Sequence, residues 1–438
     1  MLSLHVLLPL AHRLANQPWD QPLLAACLRS YLPPPLNRQA NRLANRLIKD
    51  FPGTTAPDAQ QIAKALGQTT TAARLATLAR QQTRPPSPDL NPPHFRPNPA
   101  LHIPAIPVME TIPDLAFWLG LTEDQLTRFA DLRGLSARSH PEFGSHYRQH
   151  LIPKSDGTLR LIEEPRPFLK RLQRRILTGL LNHVPPHPAA HGFRPGHSVL
   201  TAARAHAGEQ IVLRFDLRHF FASITIARVY GLFRTMGYPA TIARPLAGLT
   251  TAITPTEVHK TPHLAGAELF AARHLPQGAP TSPALANLAA WFLDLRLAGL
   301  ARSVNAQYTR YADDLTFSGD RRIAPVLLDA LPHIITETGF RLNLSKTRIM
   351  PAHQRQTVTG LTVNRHLNLP RDQYDRLKAT IHHLTCPDDP RRQDPAFLAQ
   401  LSGRITWAEQ ANPHRGAKLR EALAAALERL PPPPISPI

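Results

Sequence analysis

Cysteine is almost absent: Cys27 and Cys386 are the only two in 438 residues, far apart and in no CxxC pair. That excludes a disulfide framework and a thiolate zinc site, and it suits a reducing cytoplasm. Long apolar runs are missing as well. No stretch reaches about 18 apolar residues, so no bilayer-spanning helix is predicted and no membrane partner is expected. The apolar opening Met1–Leu10 is short, lacks a basic flank and a cleavage site, and reads as the first structured segment. Walker, GxGxxG and nucleophile-elbow patterns do not occur, which leaves nucleotide hydrolysis, dehydrogenase and esterase chemistry without support. Acidic residues are scarce: 31 Asp and Glu stand against 51 Lys and Arg, a net charge of +20. An excess of that size suits a polyanion, most simply nucleic acid, with an anionic membrane surface as the competing reading. The 22 His are scattered and read as solvated or core imidazoles, not as metal ligands.

Hydrophobic residues make up 42% of the chain, enough for a globular protein of two or three domains. Residues 1–82 read as helical. Asn37-Arg38, Asn41-Arg42 and Asn45-Arg46 recur at a spacing of four beside Leu43, Leu47 and Ile48. That pattern gives one basic and one apolar helix face. Arg38, Arg42 and Arg46 are candidate RNA contacts, with a merely solvated face as the alternative. A second helix is predicted over Ala59–Gln82. Residues 83–107 hold nine prolines and read as a polyproline-like linker. Short helices follow at Pro113–Gly120 and from Thr122, an N-cap residue. Strands and helices alternate from Tyr147 to about Val363, and helices return after Pro370. Residues 431–438 are a proline-rich tail.

The strongest local signal is Tyr308-Thr309-Arg310-Tyr311-Ala312-Asp313-Asp314-Leu315-Thr316-Phe317-Ser318-Gly319. Two β-prone runs flank Asp313 and Asp314, so a hairpin turn presents both carboxylates. About 100 residues earlier an apolar strand, Ile211-Val212-Leu213-Arg214-Phe215, carries Asp216 to its end. Three carboxylates gathered this way can hold two Mg²⁺ ions roughly 3.5–4 Å apart for in-line displacement at phosphorus. The Leu217 carbonyl is a further candidate ligand. Four segments support this centre. Asp156-Gly157 is a hairpin-turn dipeptide that places Lys154 and Arg160 on two arms able to clamp a triphosphate. Phe220 and Phe221 follow Asp216; Phe220 reads as core, and Phe221 as a wall of a sugar pocket. Gln277-Gly278 precedes a helix predicted over Ala284–Leu300. There Gln277 is a nucleotide or template contact, and Gly278 allows close backbone approach to a ligand. Gly339–Thr347 carries Lys346, placed to neutralise departing pyrophosphate.

In this order the segments resemble the reverse transcriptases, specifically the bacterial retron type, from about Pro113 to Leu430. Tyr311-Ala312-Asp313-Asp314, Gln277–Pro283 with Asn287, and Phe215-Asp216 with Phe220–Ile224 are similar to that family's palm motifs. His191–Ser198 resembles the segment ahead of the first palm strand. Val358-Thr359-Gly360-Leu361 with Val363-Asn364 resembles the retron signature after the palm. The family's Asn-Ala-x-x-His segment matches Ala202–His206, with Ala202 in place of Asn. The resemblance implies a right-hand polymerase of the α+β class: fingers at 108–210, palm at 211–365, a helical thumb at 366–430, and an N-terminal helical extension.

By the same resemblance Asp216, Asp313 and Asp314 are the metal carboxylates, Asp314 the least direct. Mg²⁺ is the ion, two per site, with Mn²⁺ as the alternative. Lys154 and Arg160 hold the dNTP, Gln277 contacts it, Lys346 assists pyrophosphate, and Phe221 is the steric gate against a 2′-OH. His206, Val358, Thr359 and Gly360 are RNA contacts. Implied partners are a structured non-coding RNA as template and primer, the DNA product, and an effector or toxin protein in defence against phage. Rivals are a group II intron or abortive-infection type of reverse transcriptase, and a catalytically silent RNA-binding protein of the same fold.

Overall fold

A computed structural model describes residues 4–32, 34–53, 56–74, 94–96, 106–137, 145–386 and 388–428. The chain divides into two units, Met1–Phe95 and Arg96–Ile438. The division falls inside the proline-rich 83–107, most of which, like the tail 431–438, lies outside the described residues.

The first unit is helical, with Leu4–Ala15, Gln21–Tyr31, Ala40–Asp50 and Ala59–Gly67 as its main elements. Leu10, Leu14, Leu24, Leu28, Leu47 and Ile62 belong to its core, with Leu43 and Leu47 on the apolar face predicted beside the arginines. Arg42 and Arg46 lie exposed on the far side of Ala40–Asp50, and Arg38 is exposed on the 3₁₀ turn before it. Arg46 pairs with Asp50 at 3.5 Å. The predicted single helix Ala59–Gln82 is instead broken after Gly67. A new helix starts at Thr70, and the Thr69 hydroxyl accepts from the Ala72 amide at 3.1 Å. A capping threonine outweighs an apolar periodicity that runs through it. Residues 75–82 lie outside the described residues.

In the second unit Thr111 and Thr122 each close a capping box at the start of Ile112–Leu119 and Glu123–Ala130; the cap at Thr122 is the one expected from the sequence. Strands β1 (Tyr147–Pro153) and β2 (Leu159–Pro165) form an antiparallel hairpin. Its Asp156-Gly157 turn has Gly157 at φ 79° and the Asp156 carboxylate accepting from the Thr158 amide and hydroxyl. The helix Pro167–Gly179 packs behind it through Leu169, Leu172, Gln173 and Ile176.

The catalytic sheet has the order β4-β5-β3-β6, all antiparallel: β3 is Ile211–Asp216, β4 Gln307–Tyr311, β5 Asp314–Gly319 and β6 Arg348–Pro351. Apart from Arg214, β3 is buried on both faces, which is why its sequence is a near-continuous apolar run and not an alternating one. Between β3 and β4 the chain packs Ala240–Thr250 on Glu123–Ala130 and Pro167–Gly179. The predicted Ala284–Leu300 helix is two helices, Ser282–Ala289 and Trp291–Ser303, bent by 49°. Arg228 donates to the Ala289 carbonyl at the break, at 2.7 Å, and so satisfies a group the broken ladder leaves open. No single helix among the described residues is long and apolar enough to cross a membrane.

After β6 comes a two-residue hairpin, β7 (Thr357–Val358) and β8 (Leu361–Thr362). The helices Arg371–His383, Pro395–Ala411 and Pro413–Glu428 follow, sharing one apolar core with Val212, Met350 and Val358.

Candidate active site

Asp216 is the last residue of β3 and pairs in register with Asp314, the first of β5. Tyr311 pairs with Asp314, leaving Ala312 and Asp313 as a two-residue turn. Ala312 sits at φ 56°, a left-handed conformation that costs a Cβ-bearing residue energy and must be held by its surroundings. What holds it is visible. A Cβ on Gly192 would lie 2.8 Å from the Ala312 amide, so the segment after Ala190 lies against the turn. That segment is pinned by Arg310 N to Ala189 O at 2.7 Å and His191 N to Arg310 O at 2.8 Å.

Beneath the turn lies Arg310, wholly buried. Its Nε and Nη2 donate to the two oxygens of buried Asp294 at 2.8 and 2.6 Å, and its Nη1 donates to the Asn287 side chain and the Ala312 carbonyl at 3.0 Å each. The Tyr308 hydroxyl also donates to Asp294, at 2.8 Å, and Asn287 donates to the Gly192 carbonyl at 2.8 Å. Burial works against the Arg310 charge, yet Asp294 raises its pKa above the usual value.

A cavity of about 330 Å³ is lined by Arg214, Phe215, Asp216, Asp313, Asp314 and Lys346. The three predicted carboxylates therefore share one cleft. Lys346 Nζ lies 2.9 Å from Asp216 Oδ2, and Asn343 donates to Asp216 Oδ1 at 3.0 Å. Arg214 reaches both oxygens of Asp314 at 3.3 and 3.4 Å. Among the described residues no cation lies within ion-pair distance of Asp313; burial, then Asp216 and Asp314, push its pKa up to about 6, against the opposing charge of Lys346. With Lys346 and Arg214 in place, no three His, Cys, Asp or Glu side chains among the described residues are closed around a common point. The donor set is nonetheless all oxygen and carries excess negative charge, which fits a hard divalent cation and not zinc or copper. Leu217 adjoins the carboxylates through its amide, which donates to the Asp313 carbonyl at 2.9 Å.

Phe220 is core, as expected. Phe221 is half-buried, with its ring centroid 6.2 Å from that of Phe193, which in turn is 6.3 Å from Tyr311. Three aromatics thus line the approach to the turn. Arg160 is exposed and Lys154 half-buried at the hairpin tip. Burial, then Arg218 and Lys154, lower the His219 pKa, so Lys154 bears on the loop that follows Asp216.

Gln277 is half-buried, and its carbonyl accepts from the Glu163 amide at 2.8 Å. At φ 131° Gly278 passes so close to β2 that a Cβ would lie 2.9 Å from the Glu163 carbonyl. Packing on β2 by itself therefore requires a glycine here. Behind it, buried Glu163 accepts from Thr254 at 2.8 Å and meets His274 at 2.7 Å, tying this loop to the hairpin.

Two expectations are corrected. His206 is wholly buried, its ring nitrogens 2.7 Å from Ser318 Oγ and 2.8 Å from Thr309 Oγ1. Burial lowers its pKa to about 3, so it is a neutral brace across β4 and β5 and not an RNA contact. Val358 is core. Thr359 and Gly360 form the β7–β8 turn, at φ 48° and 86°, with the Thr359 hydroxyl donating to the Val199 carbonyl at 2.8 Å; of this group only Gly360 is exposed. Sequence reasoning missed Arg310, Asp294, Asn343 and Arg214. The available signal was a lone charge inside an apolar pattern: Arg310 in β4, Asp294 between Leu293 and Leu295, and Arg214 in β3.

The sheet, its carboxylate turn and the cationic hairpin above it define a template-directed nucleic-acid polymerase. The reverse transcriptase (RNA-dependent DNA polymerase) family model matches residues 152–363. The retron Mx65 reverse transcriptase of Myxococcus xanthus is 40% identical over 322 residues, 72% of this chain and 71% of that protein. The retron Mx162 reverse transcriptase of the same organism is 38% identical over 322 residues, covering 69% and 64%. The retron Ec86 reverse transcriptase of Escherichia coli is 35% identical over 244 residues, covering 55% and 70%. The chain belongs to the retron reverse transcriptases and is an RNA-directed DNA polymerase.

Proposed function

We propose that the chain copies a structured non-coding RNA into single-stranded DNA that stays linked to RNA, at the cleft formed by Asp216, Asp313 and Asp314. One observation carries the residue assignment: three carboxylates from two strands and a braced turn meet in one cavity. These side chains, with the Leu217 carbonyl, are the ones that would hold two Mg²⁺, or Mn²⁺ in their place. Bound divalent ions supply charge neutralisation and a lowered pKa for the attacking hydroxyl. In the reaction the primer 3′ oxygen bonds to the α-phosphorus of a dNTP, its proton leaves, and pyrophosphate departs. Lys154 and Arg160 clamp the triphosphate from the hairpin tip. Gln277 orients the nucleotide, and Phe221 packs under the sugar where a 2′-OH would clash. Lys346, on a short 3₁₀ turn, supplies a cation to the leaving group when it lets go of Asp216. The Arg38, Arg42 and Arg46 face adds affinity for RNA phosphates. A role in phage defence with an effector protein, and a cytoplasmic location, complete the reading.

The test is expression with the native flanking DNA. The chain should co-purify with a nucleic acid that is part RNA and part DNA, its DNA part lost in Asp313→Asn. The same DNA appearing without the flanking locus would favour an untemplated polymerase, and RNA without any DNA would favour a silent binder.

A further inference from the structure

We propose that buried Glu163 and His274 are positioning residues for nucleotide selection: a proton shared between them fixes the hairpin that carries Lys154 and Arg160 against the loop that carries Phe221. This rests on the triphosphate clamp and sugar gate assigned to those residues above, and it concerns what holds the two in register. The pair lies where several segments cross. Glu163 is on the inward face of β2, and His274 lies just ahead of the Gln277-Gly278 loop; each is 1% exposed. The His274 backbone exchanges two hydrogen bonds with Ala252, at 2.9 and 3.0 Å. Its neighbours hold the chain beyond Phe221. The Ile226 amide donates to the Arg273 carbonyl at 3.1 Å, and the Leu275 amide donates to the Ile224 carbonyl at 2.9 Å. The Ile224 amide in turn donates to the Phe221 carbonyl at 3.1 Å. From this framework the His274 ring reaches across to β2, where Nε2 meets Glu163 Oε2 at 2.7 Å. The Thr254 hydroxyl donates to Glu163 Oε1 at 2.8 Å.

The partners dictate the hydrogen-bond roles. His274 Nδ1 lies 2.8 Å from the Ala272 carbonyl. A carbonyl only accepts, so Nδ1 carries a hydrogen. Nε2 and the carboxylate would then face each other as two acceptors unless one further proton sits between them. Burial opposes a charged ring, yet Glu163 raises the His274 pKa above its ordinary value, in keeping with a proton held by the pair. The adjacent cation, Arg273, is turned to Asp131 at 3.5 Å.

A buried polar pair of this kind adds little stability beyond what apolar side chains of the same volume would give. What it adds is direction. The neighbouring contacts of Leu161 with Leu264 and Phe270 are apolar and therefore non-directional. The Glu163–His274 and Glu163–Thr254 bonds set the position of β2 along its length and in rotation. From Glu163 to Arg160 is three residues, roughly 10 Å of strand, so a small rotation at the pair is delivered to the clamp. On the other side, Ile224 lies one turn beyond Phe221. A shift of about 1 Å between clamp and gate costs on the order of 10²-fold in rate.

The experiment measures single-nucleotide extension of a primed RNA template by the full chain, with dNTP and with rNTP, together with primer–template affinity. In Glu163→Ala and in His274→Ala, kcat/KM for dNTP should fall by on the order of 10²-fold, most of it in KM. The preference for dNTP over rNTP should narrow, and primer–template affinity should hold. A merely structural role would lower the fraction of active enzyme, and so the apparent kcat, without moving KM or the preference. Glu163→Gln is the rescue. Its amide can donate to His274 Nε2 while its oxygen accepts from Thr254, so no shared proton is needed and KM should stay near wild type. Should neither alanine variant fold, Thr254→Val, which removes one bond to Glu163, should move KM and the preference the same way by a smaller factor. The proposal is overturned by alanine variants with wild-type KM and preference, or with Thr254→Val in their place if it shows neither shift. It is overturned equally by a matching loss of primer–template affinity, or by Glu163→Gln as impaired as Glu163→Ala. Failure of the clamp and gate shows elsewhere: Lys154→Gln with Arg160→Gln would leave KM unchanged, and Phe221→Val would leave the dNTP preference unchanged. With one of those assignments fallen the pair is judged on the other readout, and with both fallen it falls with them.

Discussion

The Arg310–Asp294 pair braces the carboxylate turn without lining the cleft. Asp294→Asn leaves a guanidinium of zero exposure without its counter-charge. Breaking one side of such a pair costs about 3–5 kcal/mol. The new amide oxygen can still accept one of the bonds now made by Arg310 Nε and the Tyr308 hydroxyl, which returns about 1 kcal/mol. The net expectation is a loss of roughly 2–4 kcal/mol, a large share of a domain stability of about 5–15 kcal/mol.

Stability and rate are separable. Arg310→Met with Asp294→Leu replaces the pair by apolar side chains of similar reach, and such swaps are often neutral. Most of the lost stability should return in the double variant. The bond from Arg310 Nη1 to the Ala312 carbonyl does not, and neither does the bond to Asn287, so the turn carrying Asp313 is no longer fixed. A misplacement of about 1 Å costs on the order of 10²-fold in rate. Urea unfolding and single-turnover primer extension, both at a temperature where each variant stays folded, read the two effects. A single variant that loses less than about 1 kcal/mol would refute the energetics. A double variant with wild-type extension would refute the positioning role.

Three further outcomes are expected. The pKa of Asp313, pushed up to about 6 by burial and by its two neighbouring carboxylates, exceeds its unfolded value, so the group destabilises the metal-free fold as pH rises from about 4 through 6. Asp313→Asn should abolish extension yet raise chelator-treated stability at pH 7 by on the order of 1–3 kcal/mol, and a pH-independent difference would contradict this. Phe221→Val should raise rNTP use relative to dNTP with little change in thermal midpoint, because the ring is half-buried; an unchanged ratio would make it ordinary packing. Arg38→Gln, Arg42→Gln and Arg46→Gln together should flatten the salt dependence of RNA binding by roughly 0.7–0.9 per contact, and an unchanged slope would leave them a solvated face.

Local rules made much of this legible in advance. The apolar run of β3, the Asp156-Gly157 turn and the threonine cap at Thr122 are each decided within a few residues, so the sequence states them directly. The carboxylate turn is of the same kind. Other features depend on what lies across the chain. His206 and Val358 occupy motif positions, but a motif does not say which way a side chain points, and both point inward. Gly278 reads as a place of close backbone approach; only the position of β2 reveals that the Glu163 carbonyl is one neighbour that demands it. The bend at Ala290 has no Pro or Gly to announce it, and it is made tolerable by Arg228, 61 residues away in sequence.

The electrostatics of the cleft divide it into a buried part and a solvent-facing part. Arg310 and Asp294 are fully buried and reciprocally bonded, so their arrangement is expensive to disturb and holds the turn in one place. Lys346 is different: its side chain is 59% exposed although its partner Asp216 is only 9% exposed. Its ammonium end is open to water, whereas the carboxylate it pairs with is largely buried. Arg214 and Asp314 are each 30% exposed and meet at 3.3 Å, intermediate between the two extremes. Burial first, and then repulsion from Asp216 and Asp314, raise the Asp313 pKa. The chain's own cations relieve that repulsion at Asp216 and Asp314 and leave Asp313, on the most rigidly braced turn, carrying the least compensated charge. The carboxylate scaffold stays put because its supports are buried, whereas the cations standing on it reach water.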